Sequence, residues 1–294
     1  MQQMTIAIHL GAHCTDDDQL VKSLLKNEKA LSQEGVVVSR PSRFRPVVRS
    51  VLEKLSGQPP GRDAQDVLLT EILDSEDFER LVLSSDQFLA NPEYAFRNGA
   101  LYPNVADRTA RTRQLFPDHP VEFFIAVRNP ATFVPALHHK LQPGSFPGFI
   151  AGMDPDLLVW SDVIRDIRDA NPDAPITVWC NEDTPMIWPE VMHEITGLDP
   201  QVPFMGGFDI LSQIMEREGI KRLRAYFSSH APATETQRRR VLSAFLDKYA
   251  IEDAVEEELD LPGWTPELVD HLTEVYDDDM IEIARIPGVT LLTA

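Results

Sequence analysis

The chain has 294 residues, of which 43% are hydrophobic and 25% are charged, and its formal net charge is −20. No apolar run approaches the roughly 20 residues that span a bilayer, and a surface this acidic would repel the phosphates of nucleic acid, so neither a membrane nor nucleic acid is expected as a partner. The first residues lack the basic region of a signal peptide, and we expect a cytoplasmic location.

The first predicted element is a short buried strand at residues 5–10, followed by Gly11 and by a helical pattern over 19–33. A strand, a glycine turn and a helix form the layout of a phosphate-binding loop, in which backbone N–H groups and the positive end of the helix dipole face an anion. Here three aspartates stand where the phosphate would lie, at positions 16, 17 and 18. The frame of a nucleotide site is therefore present, with altered chemistry.

Three more strands are predicted, because β-branched and apolar residues run without interruption at 80–84, 121–127 and 176–180. Helical patterns separate them, at 46–55, 67–73, 104–116, 132–140 and 156–170. Continuous apolar strands that alternate with helices are typical of a parallel sheet with helices on both faces. We therefore predict an α/β fold with a three-layer, doubly wound, mostly parallel sheet, in which strands 5–10 and 121–127 are interior neighbours.

Beyond about residue 200 the pattern changes to amphipathic helices, predicted at 234–249 and 266–285. We predict a single domain over residues 1–294, with a sheet core over 1–200 and a helical extension over 201–294 packed on it. Two acidic runs in this extension are predicted to face solvent, Glu256-Glu257-Glu258 and Asp277-Asp278-Asp279. Two arginine clusters, over 40–49 and 97–113, can serve an anionic ligand despite the net charge.

Several short motifs follow one another in a recognisable order. After the strand and Gly11 come Ser84-Ser85-Asp86, at the end of the next main strand, and Val127-Arg128-Asn129-Pro130, after the third. Together they resemble the bacterial sulfotransferase family, whose members transfer sulfuryl groups from the nucleotide PAPS on a P-loop kinase-like fold. In that family the corresponding motifs are Ser-Ser-Glu and an Arg-Asn-Pro turn that holds the 3′-phosphate of PAPS. The resemblance implies donor-binding positions at Gly11, Ala12, His13, Cys14, Thr15 and Arg128.

The loop departs from the family in the residues that hold the donor. The family's Pro-Lys-Thr-Gly-Thr-Thr core aligns with residues 13–18, so Cys14 replaces the lysine and aspartates replace the last three residues. The serine that follows Arg-Asn-Pro in the family aligns with Ala136. Like charges about 4 Å apart repel by about 4 kcal/mol at an effective dielectric constant of about 20, so a carboxylate facing the 5′-phosphate opposes PAPS binding.

The aspartate run has three interpretations. Its carboxylates can cap the helix, they can bind a divalent cation together with His9, His13 or Cys14, or they can take part in acid–base chemistry. No metal-ligand set is assigned. Asp86 follows a strand at the expected cleft, where a carboxylate can act as a general base on an acceptor hydroxyl or simply bond to nearby backbone.

The sequence thus predicts a sulfotransferase-like protein with a degenerate PAPS site and weak or absent sulfuryl transfer. Two alternatives stay open. One is an active sulfotransferase that binds its donor differently, through Arg128 and the arginines of 40–49. The other is a non-catalytic module that binds a protein or a small molecule. If the chain is active, PAPS is the expected donor and a small molecule the expected acceptor.

Overall fold

A six-stranded parallel sheet lies at the centre of the computed structural model, which describes residues 3–55, 58–74, 78–255 and 261–294. Its strands are β1 (Thr5–His9), β2 (Val36–Val38), β3 (Arg80–Ser84), β6 (Val121–Val127), β7 (Ile176–Cys180) and β8 (Val289–Leu292). Their order in the sheet is β2-β3-β1-β6-β7-β8, and each neighbouring pair is parallel. A separate antiparallel hairpin consists of β4 (Phe96–Arg97) and β5 (Ala100–Leu101).

The helices precede, connect and follow these strands. They are α1 (Gln19–Leu25), α2 (Glu28–Gln33), α3 (Pro41–Lys54), α4 (Arg62–Ile72), α5 (Val105–Gln114), α6 (Pro130–Leu141), α7 (Phe146–Phe149), α8 (Trp160–Ala170), α9 (Thr184–Thr196), α10 (Leu211–Ile214), α11 (Arg217–Ser229), α12 (Glu235–Tyr249), α13 (Glu252–Val255) and α14 (Pro266–Ala284). The described part of the chain contains no helix whose length and apolarity would suit a bilayer crossing.

Different helices cover the two faces of the sheet. On one face, Ile6 and Ile8 of β1 pack among buried residues of α3, α4, α5, α6, α8 and α14. On the other, Ala7 packs among residues of α1, α2 and α9. Successive side chains of a strand point to opposite faces, so the sheet separates two apolar cores. The predicted α/β fold is confirmed to this level: a parallel sheet between two layers of helices.

The predicted strands at 80–84, 121–127 and 176–180 match β3, β6 and β7 residue for residue. β1 pairs in parallel with both β3 and β6, so the predicted interior pairing is also confirmed. The single helix predicted over 19–33 is wrong. It divides into α1 and α2 at Asn27, whose side-chain amide donates to the carbonyl oxygens of Ser23 (3.1 Å) and Met205 (2.9 Å).

The extension beyond residue 200 is not wholly helical, because β8 continues the sheet alongside β7. Asp279 of α14 is buried, although its acidic run is predicted to face solvent. Its carboxylate accepts the backbone N–H groups of Trp160 (2.6 Å) and Ser161 (3.0 Å), at the start of α8. The extension therefore completes the sheet and caps a helix of the core. The other acidic run, Glu256-Glu257-Glu258, lies outside the described residues.

The helices α11 and α12 pack on each other around Leu223 and Leu242, which belong to a small apolar cluster of their own. An ion pair between Arg238 of α12 and Glu190 of α9 (2.7 Å) connects this pair of helices to the sheet domain. The described extension thus contains two parts, one built into the sheet and one attached beside it.

Candidate functional site

The loop that follows β1 leaves the sheet where its strand order changes direction. From β1 the strands run to β3 and β2 on one side and to β6, β7 and β8 on the other. In open α/β sheets, ligands bind outside the carboxyl ends of the strands at such a switch point. The loop residues Gly11 to Asp18, the residues after β3 and Arg128 after β6 all lie at this edge.

Gly11 holds the loop close to the segment that follows β3. Its φ is +59°, and a Cβ at this position would lie 3.0 Å from the backbone nitrogen of Asp86 and 3.2 Å from the carbonyl carbon of Ser85. The Ser85 N–H donates to the carbonyl oxygen of His9 (3.1 Å), which holds the two segments in register. A glycine is therefore favoured here for two reasons, a left-handed backbone and a close approach.

The predicted positions Gly11, Ala12, His13, Cys14 and Asp86 line a single cavity of about 170 Å³. The other lining residues are Asp16, Asp17, Asp18, Ser84 and Lys140. With His13 neutral, the four carboxylates and one ammonium leave a net charge of −3 on the lining. The structure thus brings most of the predicted donor positions together, but around a small and acidic space.

The polar groups of the loop are largely satisfied by the loop itself. The Thr15 hydroxyl donates to the carbonyl oxygen of Ala12 (2.6 Å). The carboxylate of Asp16 accepts the N–H of Leu20 (2.8 Å), in the first turn of α1. The prediction that an aspartate of this run caps the helix is therefore confirmed, and Asp16 is the residue that does so. An internal carboxylate occupies one of the N–H groups that an anion would use.

The other two aspartates pair with cations from neighbouring helices. Asp17 contacts the ammonium of Lys140 on α6 (3.1 Å), and Asp18 contacts the guanidinium of Arg45 on α3 (2.8 Å). Asp17 and Asp18 both have positive φ, 45° and 64°, as does Cys14 at 57°. Aspartate tolerates this left-handed conformation better than most residues. The aspartates therefore suit the backbone conformation of the loop as well as pairing with its cations.

Arg128 faces the loop from the end of β6. Its guanidinium donates to the carbonyl oxygen of Cys14, and its Nε donates to the hydroxyl of Thr132 (3.0 Å). The residue is only 9% exposed. In the following turn the Asn129 side chain accepts the N–H of Ala131 (2.9 Å) and caps α6. Arg128 is thus positioned against the loop, where it binds the loop's own backbone.

Asp86 lies at the end of a buried chain of polar groups that sequence reasoning did not connect. Tyr102 accepts the backbone N–H of His13 (3.0 Å), and its hydroxyl lies 2.9 Å from Nδ1 of the same histidine. If the hydroxyl donates to Nδ1, the neutral ring carries its proton on Nε2. That nitrogen faces the Asp86 carboxylate at 3.8 Å, and the Asp86 side chain is 33% exposed.

Burial determines the protonation of these groups. It lowers the pKa of His13 to about 4, although the nearby Asp86 carboxylate raises it in part. Burial likewise raises the pKa of the Tyr102 hydroxyl above its ordinary value. His9, below the loop, has a pKa lowered by burial, and its Nδ1 lies 2.8 Å from the Ser84 hydroxyl. At neutral pH both histidines are uncharged, so they do not offset the carboxylates.

Sequence reasoning missed Lys140 and Tyr102 as parts of this site. Lys140 follows the Arg-Asn-Pro turn by about three helical turns, and Tyr102 follows the hairpin, so neither belongs to a recognisable motif. Arg45 lies in the arginine cluster 40–49, which was a usable signal. Within the described ranges, no three His, Cys, Asp or Glu side chains are arranged to hold a metal ion.

No protein-family model matches the chain, and neither a curated protein nor a solved structure matches it. The geometry of the site is therefore the basis on which a function is assigned.

Proposed function

We propose that this chain is a sulfotransferase-like protein on a P-loop-type fold, with a degenerate PAPS site and weak or absent sulfuryl transfer. The proposal rests on one observation: the polar groups of the donor loop are already bonded to groups of the protein itself. Arg128, the Thr15 hydroxyl and the first-turn N–H of Leu20 all bond to groups of the loop itself. The resemblance assigns Arg128 and Thr15 to PAPS, and first-turn N–H groups face the anion in a phosphate-binding loop, so these internal bonds support a donor site that is degenerate.

Charge and size support the same proposal. The cavity lining carries a net charge of −3, and PAPS is itself a polyanion. The volume of the cavity, about 170 Å³, is below the roughly 300–1,000 Å³ of ordinary ligand pockets. Transfer of a sulfuryl group builds up negative charge, and losing a single donor that stabilises such charge typically costs about 10²–10³ in rate. Replacing the lysine by Cys14 removes one such donor, and the aspartates add repulsion.

A second candidate, an active enzyme with altered donor binding, is favoured by one observation. Lys140 and Arg45 reach the loop from α6 and α3, where they pair with Asp17 and Asp18. A donor that displaced these carboxylates would gain two cations in place of the missing lysine. Asp86, half-buried in the same cavity, would then serve as the general base for an acceptor hydroxyl.

Calorimetric titration of PAPS at low and moderate salt separates the two candidates. We expect no detectable binding by the unmodified protein, and measurable binding by the variant Cys14→Lys/Asp16→Asn/Asp17→Gly/Asp18→Gly. Asparagine keeps a capping side chain at position 16, and glycine suits the positive φ of positions 17 and 18, where the threonines of the family would be strained.

The matched control is Asp270→Asn/Glu274→Gln/Asp277→Asn/Asp278→Asn, which changes the net charge equally on the exposed face of α14. It should bind no better than the unmodified protein. Binding and sulfuryl transfer by the unmodified protein would favour the second candidate and overturn the first. If the folded loop variant still fails to bind, the loss extends to the 3′-phosphate side, around Arg128 and Ala136.

A further inference from the structure

A second cavity, of about 500 Å³, lies between α3 and α5 beside the donor loop. Its arginines come from the two clusters in the sequence, Arg45 and Arg49 on α3 and Arg108 and Arg111 on α5. Residues three or four positions apart share one face of a helix, so each helix presents a pair of guanidinium groups to the cleft. We call this cavity the arginine cleft.

The arginine cleft is electropositive in an acidic protein. Its lining also contains the carboxylates of Glu53 and Asp107, which leaves a net charge of +2 against −20 for the whole chain. A concave site of one sign concentrates its field and attracts ions of the opposite sign. The acidic character of the chain as a whole therefore favours this cleft over the rest of the surface as a place for an anion.

Two of the four guanidinium groups, those of Arg49 and Arg111, are available to a ligand, and Arg45 becomes available when its pair with Asp18 opens. Arg49 is exposed and forms no hydrogen bond or ion pair within the described residues. Arg111 pairs with the exposed Asp107 one turn away (3.1 Å), a contact of small energetic value. Arg45 pairs with Asp18, but its buried Nε has no hydrogen-bond partner in the described structure. Arg108 instead donates to the carbonyl oxygens of Gln87 and Phe88 and fixes the cleft wall.

The rest of the lining is uncharged and consists of four apolar and four polar residues, Phe44, Val48, Leu52 and Phe88 with Ser85, Gln87, Asn91 and Thr112. Phe44 and Phe88 stack with their ring centroids 5.9 Å apart, and Val48 and Leu52 continue this surface along α3. An apolar floor beneath a ring of cations fits a ligand that has an apolar body and an anionic group. A volume of about 500 Å³ is sufficient for a drug-sized molecule but not for a folded partner.

We propose that the arginine cleft binds a small amphipathic organic anion, in which an aryl or alkyl group carries a carboxylate, sulfonate or phosphate-type head. The apolar body lies against Leu52, Val48 and Phe88. The anionic head lies between Arg49, Arg111 and Arg45. The proposal does not depend on whether the loop binds PAPS. It goes beyond the proposed function by naming a ligand class and a separate place for it.

The ion pair of Arg45 with Asp18 connects this site to the donor loop. An anion in the arginine cleft competes with the Asp18 carboxylate for the same guanidinium. Removing the Asp18 charge therefore frees Arg45 and tightens ligand binding. Neutralising Asp17 removes the same charge from the same loop, but this residue pairs with Lys140 and not with a cleft arginine.

The probe is 8-anilinonaphthalene-1-sulfonate, titrated into the full chain by calorimetry, with the neutral N-phenyl-1-naphthylamine as its uncharged counterpart. We expect one site for the sulfonate, weaker binding at higher salt and much weaker binding of the neutral compound. Arg49→Gln should weaken binding at least fivefold, because a charge-assisted contact is lost. Arg240→Gln, which removes an equally exposed arginine from α12, should leave it unchanged.

Asp18→Asn should tighten binding at least twofold, and Asp17→Asn should have no effect. The proposal is overturned if the sulfonate does not bind, if the neutral compound binds equally well, or if Arg49→Gln and Arg240→Gln behave alike. It is also overturned if Asp17→Asn and Asp18→Asn are equivalent. None of these outcomes depends on PAPS, so a failure here is distinct from a failure of the proposed function.

Discussion

Two cavities meet at the segment that follows β3, and they have opposite charge. Ser84 and Asp86 line the loop cavity, with its net charge of −3, and Ser85 and Gln87 line the arginine cleft, with its net charge of +2. In the first, carboxylates are satisfied by the loop and by nearby cations. In the second, guanidinium groups remain available above an apolar floor. Two neighbouring cavities at one edge of the sheet thus differ in the formal charge of their linings, and the proposed anion site follows that charge.

The largest expected effect is a loss of stability on substitution of Gly11, where the loop lies against the backbone of the segment after β3. Gly11→Ala should lower the free energy of unfolding by about 2–3 kcal/mol, because the new methyl group meets backbone atoms of Ser85 and Asp86 at positive φ. Gly263→Ala is the control, since its φ is +85° and no atom of the described residues lies within 4 Å of the added Cβ. It should cost only about 1 kcal/mol, the penalty of the left-handed backbone for an L-residue. Urea unfolding at pH 7 measures both, and equal losses would contradict the close approach.

The burial of His13 beside the acidic cavity should also make stability depend on pH. The pKa of His13 is about 4 in the folded protein against 6.5 for the free side chain, so the unfolded chain takes up a proton first as the pH falls. The contribution of neutral His13 to the free energy of unfolding is fully present above about pH 6.5. It is lost as the pH falls from 6.5 to 4, and about 2 kcal/mol is lost at pH 5. His9 acts in the same direction.

His13→Gln should remove this part of the pH dependence, as measured by urea unfolding at pH 7.5 and pH 5. His139→Gln, which changes an exposed histidine of α6, should leave the pH dependence as it is. An unchanged difference between the two pH values in His13→Gln would show that the ring does not stay neutral in the folded protein.

The smallest expected effects are the losses of stability when single aspartates of the loop are replaced. Asp16→Ala should cost about 1 kcal/mol, because the N–H of Leu20 loses its cap. Asp17→Asn should cost less than about 0.5 kcal/mol, since the Asp17 side chain is 75% exposed and asparagine tolerates its positive φ. Thermal unfolding of both variants at neutral pH provides the comparison. Equal losses would mean that charge, rather than capping, determines the contribution of the run.

The sequence was sufficient to predict the parallel sheet, because its buried strands are continuous apolar runs with turn residues at their ends. It did not indicate β8, whose four residues are half-exposed at the sheet edge and resemble a loop after α14. The break between α1 and α2 also escaped prediction, since the Asn27 side chain bonds to Met205, far along the chain. Short edge strands and breaks of this kind depend on tertiary contacts that no local pattern contains.

The candidate site likewise has a part that was predictable from the sequence and a part that was not. The proximity of Gly11, Asp86 and Arg128 follows from parallel strands, whose carboxyl ends meet at one edge of the sheet. The partners Tyr102 and Lys140 were not predictable, because they depend on how a helix and the hairpin face that edge. Arg45 was indicated only as a member of the cluster 40–49, and its pairing with Asp18 was not. The meeting of two arginine clusters, separated by more than 40 residues in the sequence, depends in the same way on the tertiary fold, which makes α3 and α5 line one cavity.

The position of β8 and Asp279 has a consequence for how the protein is made. During translation, β7 leaves the ribosome long before residues 266–292 are available to pair with it and to cap α8. Until then the nascent chain carries a free strand edge, which is a template for association with other chains. Cotranslational folding of the sheet therefore stays incomplete until its last strand has been synthesised.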